Sequence, residues 1–310
     1  MRDRFTLAVA QPRAVTEPDY SGNVPRAIEL VARGASLGAE LLLFPEHYPG
    51  PFKAHQDYDP YDAMAEAARQ NSIAVVWSRM EECADGLWRL TVYVIDKTGA
   101  EVLRYERSHP ATVPPGDTGG YVAPGPVLGS FELEGIPFGI SVCSELWIPE
   151  TTRVLALRGA EIILSPAGGH FTALTTNWQL IARARAIENH CYLALTNNIY
   201  GAEQGAAMIT GPEHVLVEAG RADLAVATVD LARARWLRDQ DDSLAEPKPF
   251  DSIPGLLRAR RPELYGELSA PAEGLFDYHA QPLPGGELLP EGELLPAGEL
   301  LPEALEGSPS

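Results

Sequence analysis

Short apolar runs alternate along this chain with longer segments in which apolar residues recur every three or four positions. The short runs predict buried strands, and the longer spacing predicts helices packed against them. The predicted strands cover residues 5–10, 39–44, 72–77, 87–95, 100–105, 138–142, 161–165, 191–196, 206–210 and 224–230. The predicted helices cover residues 24–37, 61–71, 150–159 and 178–189. Because the two kinds of element alternate, the pattern favours an α/β fold.

The connections between these elements carry turn signals. Gly38 stands where the first helix should end, and Asp96-Lys97-Thr98-Gly99 predicts a hairpin turn. Residues 110–126 contain several prolines and glycines and predict a long irregular loop. Loops of this length are usually functional or mobile.

The pattern changes near residue 270. The following residues are rich in Pro, Gly and Glu and contain three copies of Gly-Glu-Leu-Leu-Pro, starting at Gly286, Gly292 and Gly298. A proline in every repeat is incompatible with a long helix or a sheet interior. We therefore expect one domain over residues 1–270 and a disordered tail over residues 271–310. A docking peptide that presents Leu-Leu pairs is the alternative interpretation of the tail.

The composition excludes several classes of protein. A net charge of -19, from 43 acidic and 24 basic residues, opposes binding to nucleic acid or anionic membranes. The cysteines, Cys83, Cys143 and Cys191, form neither a disulfide framework nor a metal-binding pattern. The apolar run Phe5–Ala10 is too short for a signal peptide or a membrane span, so we expect a cytoplasmic protein. Without a GxGxxG or GxxxxGK segment, no nucleotide site is predicted.

Cys143 lies where a predicted strand gives way to a helical segment. Unpaired N–H groups at a helix start favour a thiolate and can donate to an oxyanion. Glu46 follows another predicted strand by two residues. If these two strands are parallel in one sheet, both side chains open onto the same rim, where a carboxylate can act as base for a thiol. A buried core cysteine and a surface turn glutamate are the other interpretations.

Five segments together resemble the nitrilase superfamily of carbon–nitrogen hydrolases, in order and over residues 5–265. They are Phe44-Pro45-Glu46, Tyr105-Glu106-Arg107-Ser108-His109, Cys143 with the following Ser-Glu-Leu-Trp-Ile-Pro-Glu, Arg183-Ala184-Arg185-Ala186-Ile187-Glu188-Asn189, and Arg261-Pro262-Glu263-Leu264-Tyr265. The resemblance implies a four-layer α-β-β-α sandwich, a homodimer or larger homo-oligomer, a small-molecule substrate and no cofactor or metal. It also implies a Glu-Lys-Cys triad. Cys143 would then be the nucleophile, Glu46 the base, and the backbone N–H of Ser144 part of the oxyanion hole.

Two positions depart from the family pattern. The family lysine falls on Arg107, and a second family glutamate falls on Asp117. A guanidinium is a rigid planar fork, so it does not replace a compact ammonium neutrally. Because one side chain is longer and the other shorter, we hypothesise that Arg107 and Asp117 form a compensating pair.

The same resemblance places a substrate pocket near Tyr48, Phe52, His109 and Trp147, although aromatic residues at such positions are as often plain packing. Cys83 and Cys191 have no base nearby in sequence and are interpreted as structural. The leading functional prediction is cysteine-dependent hydrolysis of a small amide, an N-carbamoyl compound or a nitrile. The alternative is a catalytically weak or inactive homologue that binds a small acyl compound or a partner protein.

Overall fold

The computed structural model describes residues 2–16, 18–111, 122–168, 174–200, 205–239, 257–270 and 273–277. The strands within these residues are β1 (Arg4–Ala10), β2 (Leu41–Leu43), β3 (Ala74–Glu82), β4 (Trp88–Ile95), β5 (Glu101–Glu106), β6 (Ser130–Leu133), β7 (Ile136–Ile140), β8 (Ile162–Ala167), β9 (Tyr192–Asn197), β10 (Met208–Thr210), β11 (Val215–Glu218) and β12 (Leu224–Asp230). The α-helices are α1 (Asn23–Ser36), α2 (Tyr61–Asn71), α3 (Pro149–Leu157), α4 (Thr175–Asn189) and α5 (Leu231–Asp239). Short 3₁₀ helices cover Tyr20–Gly22, Cys143–Trp147, Pro262–Leu264 and Gly266–Leu268.

The described strands form two six-stranded sheets. The first has the order β12-β1-β2-β3-β4-β5, and the second has the order β11-β10-β9-β8-β7-β6. In each sheet the three central strands that connect through helices are parallel, namely β1, β2 and β3 in the first and β7, β8 and β9 in the second. The last strand, β12, returns to the first sheet and pairs antiparallel with the whole of β1, from Arg4 opposite Asp230 to Ala10 opposite Leu224.

Apolar side chains bury the two sheets against each other and against the helices. One core lies between the sheets, and Phe5 of β1 contacts Phe138 of β7 there, with ring centroids 5.6 Å apart. A second core joins the first sheet to α1 and α2, and a third joins the second sheet to α3 and α4. Each fully buried side chain of this size contributes about 1.5–3 kcal/mol by leaving water. The prediction of a four-layer α-β-β-α sandwich is confirmed.

Helix α5 stabilises the end of α4 and the loop after α3 through one buried side chain. Arg238 Nη2 donates to the carbonyl oxygens of Ala160, Asn189 and His190 at 2.8, 3.2 and 3.2 Å. Ala160 follows α3, and Asn189 ends α4. Because the last carbonyls of a helix have no partner within that helix, the guanidinium satisfies the carbonyls of Asn189 and His190 at the end of α4, and it ties that end to the loop after α3.

Most predicted elements are present, with boundary shifts of a few residues, and the hairpin turn at Asp96–Gly99 is confirmed by the Asp96 N–H donating to Ala100 O at 2.8 Å. Among the described strands and α-helices, three were not predicted: the four-residue strands β6 and β11 and the arginine-rich helix α5. Both missed strands lie at the edge of the second sheet and have half-exposed, alternating side chains. The apolar content of such strands is too low to give a clear signal.

Cys143 lies between β7 and α3 as predicted, and a 3₁₀ helix over Cys143–Trp147, which was not predicted, precedes the start of α3 at Pro149. None of the described helices is long and apolar enough to cross a membrane. Of the predicted tail, residues 273–277 are described and have exposed side chains, and the Gly-Glu-Leu-Leu-Pro repeats lie outside the described residues.

Candidate active site

Cys143 lies on a sharp turn beyond β7. The ladder with β8 continues for one residue past the strand, because the Ser141 N–H donates to Leu164 O at 2.9 Å. Val142 is extended, and Cys143 then takes a positive φ of 50°. That left-handed conformation is uncommon for a residue with a side chain and costs of order 1–3 kcal/mol. Strained turns of this kind cluster at functional sites, and here the turn leaves Cys143 partly exposed.

Glu46 reaches Cys143 from the other sheet. The segment after β2 crosses to the second sheet, where the Glu46 N–H donates to Ala167 O at 3.2 Å and Asn198 Nδ2 donates to Glu46 O at 2.9 Å. The expectation that Glu46 and Cys143 follow parallel strands of one sheet is therefore wrong. β2 and β7 belong to different sheets, and the site lies where the two sheets meet. Glu46 is only 6% exposed.

Gly168 closes the site around these two groups. Its N–H donates to the Cys143 sulfur. A Cβ atom added at Gly168 would lie 3.0 Å from Glu46 Oε2 and 3.1 Å from Glu46 Cβ. A larger residue would therefore press directly on the carboxylate.

Arg107, one residue after β5, connects the carboxylate to the cysteine turn. Its Nη1 donates to Glu46 Oε1 and its Nη2 donates to Ser144 Oγ, each at 2.6 Å. The arginine is 4% exposed. Although burial works against its charge, the negative charge of Glu46 raises the pKa of Arg107. One guanidinium fork thus binds both the carboxylate and the residue that follows Cys143.

The pKa of the Cys143 thiol is raised, although the sequence predicted a stabilised thiolate. Burial and the charge of Glu46 raise the pKa of Cys143 to about 12, although Arg107 and the Gly168 N–H act in the opposite direction. A hydrogen bond between the thiol and Glu46 also raises this pKa. The prediction of a thiolate favoured by the turn is therefore wrong: the sulfur is protonated at neutral pH and needs a base when it attacks.

Glu145 is a buried carboxylate that the sequence reasoning missed. It is 1% exposed and accepts hydrogen bonds from the Val142 N–H at 2.7 Å, Ser108 Oγ at 2.8 Å, the His109 N–H at 2.9 Å and Tyr105 OH at 3.0 Å. The first donor belongs to the cysteine turn, and the others flank Arg107 in sequence. Glu145 therefore binds the segment that carries Arg107 to the turn that carries Cys143. The signal in the sequence was an acidic residue two positions after the candidate nucleophile.

His47 is a second group that was missed, although it directly follows Glu46. Its backbone has a positive φ of 61°. Nδ1 lies 2.7 Å from Phe52 O and must donate to it, and Nε2 lies 3.8 Å from Glu46 Oε1. Burial lowers the pKa of His47, and the nearby Arg107 adds to this, while Glu46 acts in the opposite direction. A neutral imidazole thus lies beside the carboxylate.

The other predicted residues have varied surroundings. Tyr48 is fully buried, stacks on Phe44 and donates to Asn23 O at 3.2 Å. Phe52 is 6% exposed, Trp147 is 39% exposed and meets Trp178 edge-on, and His109 Nδ1 lies 2.8 Å from Ser108 Oγ. Asp117 lies outside the described residues. The structure therefore brings together Glu46, Arg107, Cys143 and Ser144.

The remaining cysteines and possible metal ligands lie elsewhere. Cys191 is buried in the core beneath α4, and Cys83 is partly exposed and accepts a contact from Arg104 Nη2 at 3.4 Å. Among the residues that the structure describes, no group of three or more His, Cys, Asp or Glu side chains is arranged to hold a metal ion.

Comparison with known proteins identifies the family. The Carbon-nitrogen hydrolase family profile matches residues 6–239. The chain belongs to the carbon–nitrogen hydrolase family. A deaminated glutathione amidase from Synechocystis is 30% identical over 260 residues, which cover 74% of this chain and 93% of that protein. An omega-amidase from Mus musculus is 23% identical over 79% of this chain and 91% of that protein.

A solved structure shares the architecture of this carbon–nitrogen hydrolase. A mutant of the amidase from Nesterenkonia sp. AN1 matches with a TM-score of 0.68 and 23% identity, covering 86% of this chain and 97% of that one. That mutant carries the acetamide moiety of fluoroacetamide covalently added at its active-site cysteine. Family membership and these relatives indicate a carbon–nitrogen hydrolase of the amidase type.

Proposed function

We propose that this carbon–nitrogen hydrolase cleaves a small amide through a thioester formed on Cys143. One observation carries the proposal: the Glu46 carboxylate hydrogen-bonds both the Cys143 thiol and the Arg107 guanidinium. A buried base that contacts a nucleophile and is itself oriented by a third group is the arrangement that covalent catalysis requires. The covalent adduct at the active-site cysteine of the Nesterenkonia amidase supports the same chemistry.

In the proposed acylation step each group has a distinct role. Glu46 removes the thiol proton as the Cys143 sulfur attacks the carbonyl carbon, and the carbonyl electron pair moves to the oxygen. The backbone N–H of Ser144 donates to that oxygen. When the tetrahedral intermediate collapses, the carbon–nitrogen bond breaks and the leaving amine takes the proton from Glu46. The products of this step are ammonia or an amine and the thioester.

Deacylation uses the same base. Glu46 removes a proton from a water molecule as its oxygen attacks the thioester carbon, and the proton then passes to the departing sulfur. One amide and one water thus become a carboxylic acid and an amine, and the thiol is restored. Because the pKa of Cys143 is about 12, the first step depends on Glu46 throughout the neutral range.

The names of the relatives support amides as the substrate class. The Synechocystis and Mus musculus proteins are named as amidases, so primary amides of short acyl chains are the leading substrates for this chain. N-carbamoyl compounds and nitriles are the other members of the proposed class, since attack of a thiol on an electrophilic carbon begins each reaction.

Ammonia release from short aliphatic amides, N-carbamoyl amino acids and aliphatic nitriles tests the proposal. Cys143→Ala is expected to abolish release, and Glu46→Gln is expected to slow it about 10²–10⁴-fold. Cys83→Ala is the matched control, because Cys83 lies outside the site, and it should keep wild-type rates. Because the thiol needs Glu46 as its base, peptide mapping after iodoacetamide treatment should find Cys143 labelled in the wild type and labelled more slowly in Glu46→Gln. Ammonia release that survives Cys143→Ala, or a wild type that hydrolyses no member of the panel, would contradict the proposed function.

A further inference from the structure

We propose that the Ser144 side-chain hydroxyl is a further catalytic group, which Arg107 polarises and which donates to the substrate oxygen in the tetrahedral intermediate. The proposal rests on the amidase function proposed above. It assigns to the hydroxyl a role distinct from that of the backbone N–H of the same residue.

The hydrogen bond between Arg107 and Ser144 has only one possible direction. Arg107 Nη2 lies 2.6 Å from Ser144 Oγ. A guanidinium can only donate, so the serine oxygen accepts and keeps its own hydrogen. Among the residues that the structure describes, that hydrogen has no acceptor within bonding distance. A hydroxyl that accepts from a cation becomes a stronger donor, because hydrogen bonds in a chain polarise one another.

The positions of Arg107 and Ser144 relative to solvent also support the proposal. Arg107 is 4% exposed, whereas Ser144 and Cys143 are both partly exposed. Arg107 also uses Nη1 on Glu46, so its two terminal nitrogens are divided between the base and Ser144. The positive charge of Arg107 is therefore more deeply buried than Ser144 and is separated from solvent by it. The hydroxyl can donate to the substrate oxygen on the carbon that is bonded to the neighbouring Cys143 sulfur.

The donor geometry of the side chain at position 107 supports the proposal as well. An ammonium is a point charge, whereas a guanidinium fork presents donors in two directions at once. The fork can hold the base and a second donor simultaneously. In the proposed step the Cys143 sulfur–carbon bond forms, the carbonyl electron pair moves to the oxygen, and Ser144 Oγ donates a hydrogen bond to it. No proton leaves the serine.

Three variants separate this role from a structural one. Ser144→Ala removes the hydroxyl and keeps the backbone N–H, and Ser144→Thr keeps the hydroxyl. Ser141→Ala is the matched control, since Ser141 lies just before the turn, is buried, and has no hydrogen-bond partner for its Oγ among the described residues. Loss of one oxyanion donor lowers kcat about 10²–10³-fold. Ser144→Ala is expected to show that loss in kcat with little change in KM, while Ser144→Thr stays within tenfold of wild type and Ser141→Ala is unaffected.

A second measurement does not depend on turnover. Butyraldehyde adds reversibly to a thiol and forms a tetrahedral carbon that bears an oxygen, so it probes the oxyanion donors directly. Its concentration for half-protection of Cys143 against iodoacetamide, read by mass spectrometry, is expected to rise at least about tenfold in Ser144→Ala. Ser144→Thr and Ser141→Ala should match wild type.

The outcomes are distinguishable. If Cys143 of the wild type is not labelled or not protected, the proposed function fails and this proposal fails with it. If the wild type is protected and Ser144→Ala is protected equally well, only the role of the hydroxyl is overturned. Loss of protection in Ser144→Thr as large as in Ser144→Ala would also overturn it, because the hydroxyl would then not be the acting group.

Discussion

Replacing Glu145 by glutamine should separate the two halves of the site without changing the shape of the side chain. Glu145 is 1% exposed, and its two oxygens accept from four groups, on the cysteine turn and on the segment that carries Arg107. Glutamine keeps one acceptor oxygen and places an amide group where the other was. The side-chain NH₂ group of the glutamine then faces a group that is itself a donor, such as the Val142 N–H.

The magnitude follows from these contacts. Oε1 accepts from Ser108, His109 and Tyr105, and Oε2 accepts from the Val142 N–H. If the amide oxygen takes the Oε1 position, three hydrogen bonds lose the assistance of a charge, at about 1 kcal/mol each, and one buried donor is left unpaired at about 1–3 kcal/mol. The free energy of unfolding should fall by about 4–6 kcal/mol at pH 7. For a domain of this size that lowers Tm by about 10–20 °C.

The pH dependence gives a second signature. Burial alone would raise the pKa of Glu145, but the hydrogen bond from His109, the charge of Arg107 and the Val142 N–H together hold it below its ordinary value of 4.5. A group with a lowered pKa in the folded state stabilises the fold fully above its unfolded pKa, and this stabilisation is lost as the pH falls through the folded pKa. The difference between wild type and Glu145→Gln should therefore be constant from pH 6 to 8 and should shrink in acid.

Urea denaturation at several pH values measures both effects. Glu132→Gln is the matched control, since Glu132 is exposed on β6, and it should change the free energy of unfolding by less than about 0.5 kcal/mol. A destabilisation by Glu145→Gln of under about 1 kcal/mol at pH 7, against the expected range, would refute the reasoning. So would a difference that grows as the pH falls.

Three further predictions follow from the same structure. Gly168→Ala should lower kcat at least about tenfold, because its Cβ would press on Glu46 Oε2. Gly34→Ala is the control and should keep full activity, because its Cβ would meet only ordinary contacts at 3.6 Å or more. Equal kinetics for the two variants would contradict the steric explanation. The pairing of Arg107 with Asp117 stays a prediction, and kcat for Arg107→Lys, Asp117→Glu and the double variant should show a coupling of about 0.5–3 kcal/mol. Strict additivity would show that the two residues do not touch. Truncation after Ala270 should leave Tm within about 4 °C of wild type, and a larger loss would mean that the tail packs on the domain.

The four-layer arrangement was implied by the family resemblance, whereas the sequence pattern itself predicted the strands and helices of the cores because they are strongly apolar. The pattern could not assign strands to sheets. β2 reads Leu41-Leu42-Leu43, fully buried on both faces, and such a run carries no mark of its partner strand. The placement of Glu46 and Cys143 on different sheets therefore had no local signal.

The sequence predicted the candidate residues Glu46, Arg107 and Cys143, but it did not predict the pKa of the thiol. The sequence near Cys143 indicated only the unpaired N–H groups of a helix start, which lower the pKa of a thiol. In the folded protein, burial and the charge of Glu46 outweigh them. Both larger effects come from residues far apart in sequence, and so does the contact between Arg107 and Ser144, which are 37 positions apart.

The pairing of β12 with β1 has a consequence for synthesis of the protein. β1 is translated well before its antiparallel partner, residues 224–230, which is made only after the other described strands. Until then, one edge of β1 presents unpaired N–H and C=O groups from Arg4 to Ala10, and exposed strand edges of this kind promote aggregation of incomplete chains. A nascent chain stalled before Leu224 should therefore depend on chaperones, and one released after Asp230 should depend on them much less.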